Sequence, residues 1–269
     1  MDFGKVIYMT DLDGTLLTDD KRILDRDMAA IERFRAGGGL FTTATGRGWA
    51  MARRIVEDVL HLEIPSVLFN GAGVFDFKQD RFLWQCEIGS QAREYIRRIN
   101  KMFPNRLGFE VLHQHTVFVP FLNETEREHL EMESVTPDRR PLDEIPEGGW
   151  LKFVIAAPPD ELDEVERTVR TGGFEDAQWV RSAPLYFECL PRGVDKSRGF
   201  AELIRLLHAE DRFSVASGDY MNDTAMIQKA DLGVAVASAQ PSVKAAADLI
   251  VCDNNSGAIA EVIDYIEKL

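Results

Sequence analysis

Two carboxylates stand two positions apart in Thr10-Asp11-Leu12-Asp13-Gly14-Thr15-Leu16, directly after the apolar run Val6-Ile7-Tyr8-Met9. A short continuous apolar run of this kind reads as a buried strand, so the pair sits where charge is costly. At about 4 Å and an effective dielectric near ~20, two like charges repel by ~4 kcal/mol. Burial adds a desolvation penalty. A divalent cation relieves that conflict, and an electrophile that accepts a carboxylate nucleophile gives the pair a use. Asp-x-Asp-Gly-Thr arises by chance in about one chain in a hundred of this size, and Asp and Gly also form ordinary turns. A calcium loop is excluded, because the EF-hand pattern needs further oxygen ligands at alternate positions and a Glu at the twelfth. Thr15 and Leu17 fall at the alternate positions here, and Arg22 at the last.

Three later segments carry complementary groups: Phe41-Thr42-Thr43-Ala44-Thr45-Gly46-Arg47, Gly193-Val194-Asp195-Lys196, and Ser217-Gly218-Asp219-Tyr220-Met221-Asn222-Asp223. In type and order the four segments resemble the four motifs of the haloacid dehalogenase-like hydrolases, which are mostly phosphatases. The resemblance runs nearly end to end and is weak between about residues 80 and 185. The Thr-Gly-Arg and Gly-Asp-x-x-Asn-Asp forms, with a large late insertion, look like the Cof-type branch. The tail Gly233-Val234-Ala235-Val236 and Val243-Lys244-Ala245-Ala246-Ala247-Asp248 is similar to that branch as well. Ser238 departs from it, where Asn or Asp is common, but lies downstream of all four motifs.

This resemblance implies roles. Asp11 is the expected nucleophile, forming an aspartyl-phosphate, and Asp13 the general acid and then base. Magnesium is the implied cofactor, held by the Asp11 carboxylate, the Asp13 backbone carbonyl and the Asp219 carboxylate, with Asp223 behind them through water or by holding Asp219. Thr45 would donate its hydroxyl to the phosphoryl group, helped by the Gly46 and Leu12 amides. Lys196 would neutralise phosphate and nucleophile, and Asn222 would hydrogen-bond the phosphate. Arg47 reads either as a phosphate ligand or as the partner of a neighbouring acid. Asn70-Gly71 reads either as a substrate-facing group or as a turn. The implied substrate is a small phosphorylated metabolite such as a sugar phosphate.

The elements that must position these residues are legible from periodicity. Val6–Met9, Leu40–Thr43, Ser66–Phe69, Phe213–Ala216, Leu232–Ala237 and Leu249–Val251 read as buried parallel strands. Leu24/Met28/Ile31/Phe34, Met51/Ile55/Val59, Phe200/Leu203/Leu207 and Ile259/Val262/Ile266 mark helices. Gly37-Gly38-Gly39 ends the first of them. The alternation predicts an α/β core with a doubly wound, mostly parallel, Rossmann-like sheet over residues 1–80 and 188–269. Residues 81–187 read instead as an inserted α+β cap domain with an antiparallel sheet. Its strands fall at Phe82–Glu87, Val117–Phe121, Leu151–Ala156, Ala177–Arg181 and Leu185–Leu190. His113 and His115 are spaced to share a strand face there and, lacking Cys or acidic partners, read as exposed rather than metal-binding. Trp84, Trp150 and Trp179 read as cap core. Asp11, Thr45 and Asp219 each follow a core strand, where open α/β sheets bind ligands.

Composition agrees. Hydrophobic residues at 45% fill a core, and the net charge of −14 argues against nucleic acid or anionic membrane as a partner. Cys86, Cys189 and Cys252 are widely spaced and read as reduced, which predicts a cytoplasmic protein. Asn123-Glu124-Thr125 matches a glycosylation sequon that has no meaning without secretion. Four alternatives fit less well. A mannosyl-3-phosphoglycerate or sucrose-phosphate phosphatase shares the first motif, and a phosphomannomutase-like phosphotransferase would return the phosphoryl group to a sugar. A dehalogenase lacks the second Asp, and a catalytically silent metabolite sensor would have lost one of Asp11, Asp13, Lys196 or Asp219. The sequence sets neither the substrate nor the oligomeric state.

Overall fold

The computed structural model describes residues 1–133 and 135–269. In chain order the elements begin with β1 (Val6–Thr10), α1 (Asp25–Ala36), β2 (Leu40–Thr43), α2 (Trp49–Val56), β3 (Ser66–Leu68), β4 (Gly73–Asp76) and β5 (Arg81–Gln85). Next come α3 (Ala92–Met102), β6 (Gly108–His113), β7 (Thr116–Phe121), α4 (Glu124–Met132), β8 (Trp150–Ala156), α5 (Pro159–Thr171), β9 (Ala177–Ala183) and β10 (Tyr186–Pro191). The chain ends with α6 (Lys196–Leu206), β11 (Phe213–Gly218), α7 (Thr224–Lys229), β12 (Leu232–Val236), α8 (Pro241–Ala246), β13 (Leu249–Val251) and α9 (Ala258–Lys268). Two compact units result. One comprises Met1–Gly46, Arg53–Trp84 and Asp195–Leu269, the other Arg47–Ala52 and Gln85–Val194.

The first unit is built on a parallel sheet of order β13-β12-β11-β1-β2. Alternation along β1 divides its side chains between two faces. Ile7 and Met9 join Phe200 and Leu203 of α6 in one core, while Tyr8 packs edge-on against Phe34 of α1 and Phe41 of β2. Helices therefore cover both faces, which is the doubly wound arrangement. Ser66–Leu68 departs from the sequence reading. It pairs antiparallel with β4 in a small β3-β4-β5 sheet and meets the end of β2 through the parallel bridge Ala44–Val67. Trp84 likewise packs on the core of this first unit rather than in the cap core.

The second unit carries an antiparallel sheet of order β7-β6-β8-β10-β9. Its apolar face buries Phe109, Val111, Phe153 and Phe187 against Tyr95, Ile96 and Ile99 of α3 and Leu162, Val165 and Val169 of α5. Trp179 stacks on Phe187 at 5.2 Å, and Trp150 lies in the same core. The opposite face holds a buried charged cluster. Lys152 Nζ donates to Glu188 Oε2 at 2.9 Å, and Glu110 and the α4 residue Glu126 are both fully buried beside them. His113 ends β6 and His115 sits in the turn to β7, so the two do not share one strand face. Asn123 caps α4, accepting from Glu126 N at 2.8 Å, so the sequon asparagine is a structural cap.

No helix among the described residues is long and apolar enough to cross a membrane.

Candidate active site

Strand register brings the motif residues together in the first unit. Thr10 pairs with Thr43 on one side and Ser217 on the other. The ladder continues past the strand ends: Asp11 N donates to Ser217 O at 2.9 Å, Ala44 N to Thr10 O at 2.8 Å, and Thr45 N to Val67 O at 2.9 Å. Asp11, Thr45 and Asp219 thus leave the carboxyl ends of neighbouring strands. The strand order reverses between β1 and β11, which makes this edge the topological switch point.

A buried hydroxyl chain fixes the backbone at Asp11. Ser217 Oγ donates to Thr10 Oγ1 at 2.8 Å, and Thr10 Oγ1 donates to the Asp11 carbonyl at 2.9 Å. With the Ser217 proton so used, the Tyr8 hydroxyl is the donor in its 3.0 Å contact with Ser217 Oγ. Sequence reasoning missed this chain, although a tyrosine inside an otherwise apolar strand is its visible signal.

Lys196 is the first residue of α6, whose cap Asp195 accepts from Arg198 N at 2.9 Å. Its ammonium is 1% exposed and donates to Asp11 Oδ1 at 2.6 Å and Asp223 Oδ1 at 2.5 Å. The other oxygen of Asp223 accepts the amides of Asp219 at 3.0 Å and Tyr220 at 3.1 Å. Asp223 therefore holds the backbone of the Asp219 loop. Asp219 Oδ1 accepts from Thr15 Oγ1 at 3.1 Å, a contact the sequence did not announce. Gly14 admits this approach: at φ +78°, a Cβ there would stand 2.6 Å from Asp219 Oδ2.

Asp11, Asp219 and Asp223 each offer a carboxylate oxygen within 4.8 Å of the others. Three carboxylates face one ammonium, so the buried group carries excess negative charge. Burial and the Asp223 charge push Asp11 well above the ordinary carboxylate range, with Lys196 opposing. Asp219 is pushed up to about 6, first by burial and then by Asp223. Burial alone would lower Lys196, yet Asp11 and Asp223 hold it above its usual value. A hard, oxygen-seeking divalent cation fits this donor set and relieves its repulsion. Asp13 lies apart from the trio, with Lys21 Nζ donating to its Oδ1 at 2.6 Å.

The other expected residues divide. Leu12 is buried, and its carbonyl accepts from Leu16 and Leu17 at 3.1 and 2.8 Å, closing the turn that carries Asp13. Asn222 Nδ2 donates to Asn70 Oδ1 at 2.9 Å. Arg47, next to Gly46 in the chain, donates to Glu133 Oε2 at 2.5 Å within the second unit.

A family model for haloacid dehalogenase-like hydrolases matches residues 8–263. The chain belongs to the haloacid dehalogenase-like hydrolases. Within that family it resembles 5-amino-6-(5-phospho-D-ribitylamino)uracil phosphatase YcsE of Bacillus subtilis, at 27% identity over 95% of this chain and 93% of the relative. It is 24% identical to pyridoxal phosphate phosphatase YbhA of Escherichia coli, over 96% of this chain and 97% of that one. The fold matches the subclass IIB sugar phosphatase BT4131 with a TM-score of 0.85, at 21% identity and covering 98% and 99% of the two chains. The chain is an enzyme of this hydrolase family's phosphatase type, and its family typically works with a metal ion.

Proposed function

We propose that this enzyme is a magnesium-dependent phosphatase of small phosphorylated metabolites, acting through an aspartyl-phosphate on Asp11. The observation that carries this reading is the convergence of Asp11, Lys196, Asp219 and Asp223 at one sheet edge. Asp11, Asp219 and the Asp13 carbonyl would hold the ion, which, when bound, offsets phosphate charge and leaves the phosphorus open to an anionic nucleophile.

An Asp11 carboxylate oxygen forms a bond to phosphorus as the bond to the leaving oxygen breaks. The electron pair goes to that oxygen, which takes a proton from Asp13. A water then gives its proton to Asp13 and attacks phosphorus, and the Asp11–phosphorus bond breaks to release inorganic phosphate. Lys196 fixes the rotation of the Asp11 carboxylate and balances charge as it develops. Thr45 and Asn222 donate to phosphoryl oxygens, with the Gly46 and Leu12 amides. Asp13 suits proton exchange because its side chain is 37% exposed. The relatives' names span carriers as different as a ribitylaminouracil and pyridoxal. Leaving-group choice would lie with residues of the second unit.

The deciding experiment is hydrolysis of p-nitrophenyl phosphate with magnesium by wild type and Asp11→Asn. Wild type is expected to turn over and to yield a phosphorylated Asp11 on acid quench. Turnover by Asp11→Asn at the wild-type rate overturns the mechanism.

A further inference from the structure

The turn after β3 runs through three successive left-handed residues: Phe69 at φ 54°, Asn70 at φ 52° and Gly71 at φ 101°. Glycine and, less freely, asparagine enter that region, whereas phenylalanine is strained there. Such strain persists where the surroundings over-determine it, often at functional sites. Phe69 and Asn70 are each 1% exposed, so the turn is buried rather than a surface hairpin tip.

Its contacts reach three motifs at once. Asn70 N donates to Thr45 O at 3.0 Å, at the end of the second motif. A Cβ on Gly71 would stand 1.9 Å from the Asp195 carbonyl, so the turn presses on the residue before Lys196. Asn70 Oδ1 accepts from Asn222 Nδ2 at 2.9 Å, in the fourth motif. The Asn222 Oδ1 atom is buried without a partner among the described residues. The contact with Asn70 is thus what orients the Asn222 carboxamide. A carboxamide nitrogen has two protons; with one committed to Asn70, the direction of the other is set.

We infer that Asn70 is a positioning residue for the phosphoryl site, aiming the second Asn222 N–H at a phosphoryl oxygen and holding the Thr45 carbonyl from the same turn. A plain Asn-Gly turn would explain the backbone but not a buried carboxamide committed to Asn222. This inference rests on the phosphatase reading above.

The test measures competitive inhibition by inorganic phosphate of magnesium-dependent p-nitrophenyl phosphate hydrolysis. It uses wild type, Asn70→Gly, Asn222→Ala and the double variant. Glycine keeps the left-handed backbone while removing the carboxamide. Each single variant is expected to weaken phosphate binding about tenfold, and the double variant no further than Asn222→Ala alone. Losses that multiply in the double variant, or wild-type inhibition of Asn70→Gly, overturn the inference. Absence of turnover in wild type would instead overturn the phosphatase reading. Should Asn70→Gly not fold, the side-chain amide resonances of wild type decide, assigned through Asn222→Ala. The Asn222 resonances are expected to move on adding inorganic phosphate and the Asn70 ones on replacing Asn222. Asn222 resonances indifferent to phosphate overturn the inference.

Discussion

Lys196 Nζ and Asp11 Oδ1 are joined by a 2.6 Å hydrogen bond in which both side chains are almost wholly buried. A buried pair contributes little net stability when intact, but losing one partner strands the other charge. Here Lys196 also serves Asp223, so its removal leaves two carboxylates without an ammonium.

Lys196→Met is accordingly expected to destabilise the protein by ~3–5 kcal/mol in the absence of metal. Chemical denaturation without and with magnesium checks this, and part of the loss should return when the ion is added. Turnover is expected to fall by at least ~100-fold, since the charge-balancing donor is gone.

Metal removal tests the carboxylate trio directly. Chelation should abolish turnover and lower the melting temperature, because a ligand of the folded state alone stabilises by about 2.7 kcal/mol at a hundred times its dissociation constant. A melting temperature indifferent to magnesium would argue against a site built from Asp11 and Asp219.

Gly14 offers a substitution that spares every ligand. Gly14→Ala places a methyl group 2.6 Å from Asp219 Oδ2 on a backbone at φ +78°. It is expected to cost ~1–2 kcal/mol in stability and to weaken magnesium binding at least ~10-fold, read from activation of turnover by the ion. Gly4, at an ordinary backbone angle, is the control.

The second unit should respond to pH through Glu110 and Glu126. Burial pushes Glu110 up to about 7, and burial with the Glu110 charge pushes Glu126 well above its ordinary value. Lys152 opposes both shifts, Glu188 and Glu133 add to that on Glu110, and His129 Nε2 lies 3.6 Å from Glu110 Oε2. The folded form therefore holds protons that the unfolded chain releases near pH ~4.3. Their contribution is full below that value and is lost as pH rises to about 7. Glu126→Gln, permanently neutral, is expected to flatten this fall and to raise the melting temperature at pH 8 relative to wild type.

Asp11, Asp13, Lys196 and Asp219 could be picked out together because they lie in short contiguous motifs whose spacing is set by the backbone. Their partners were not, because Asn70 to Asn222 and Arg47 to Glu133 are contacts between distant segments. Among elements, Ser66–Leu68 reads as a strand from its apolar run, but nothing local says which sheet it joins. Gly108–His113 escaped the strand reading because Glu110 interrupts its apolar residues, and only the fold buries that charge. The second unit runs on to Val194 past the last pairing of β10, at Pro191.

The hydroxyl chain from Tyr8 through Ser217 and Thr10 ties the Asp11 carbonyl to a ring wedged between Phe34 and Phe41. The placement of Asp11 is therefore written partly in the hydrophobic interior. Conservative changes at Phe34 or Phe41, remote from any phosphate, belong among the mutations that retune this enzyme's rate.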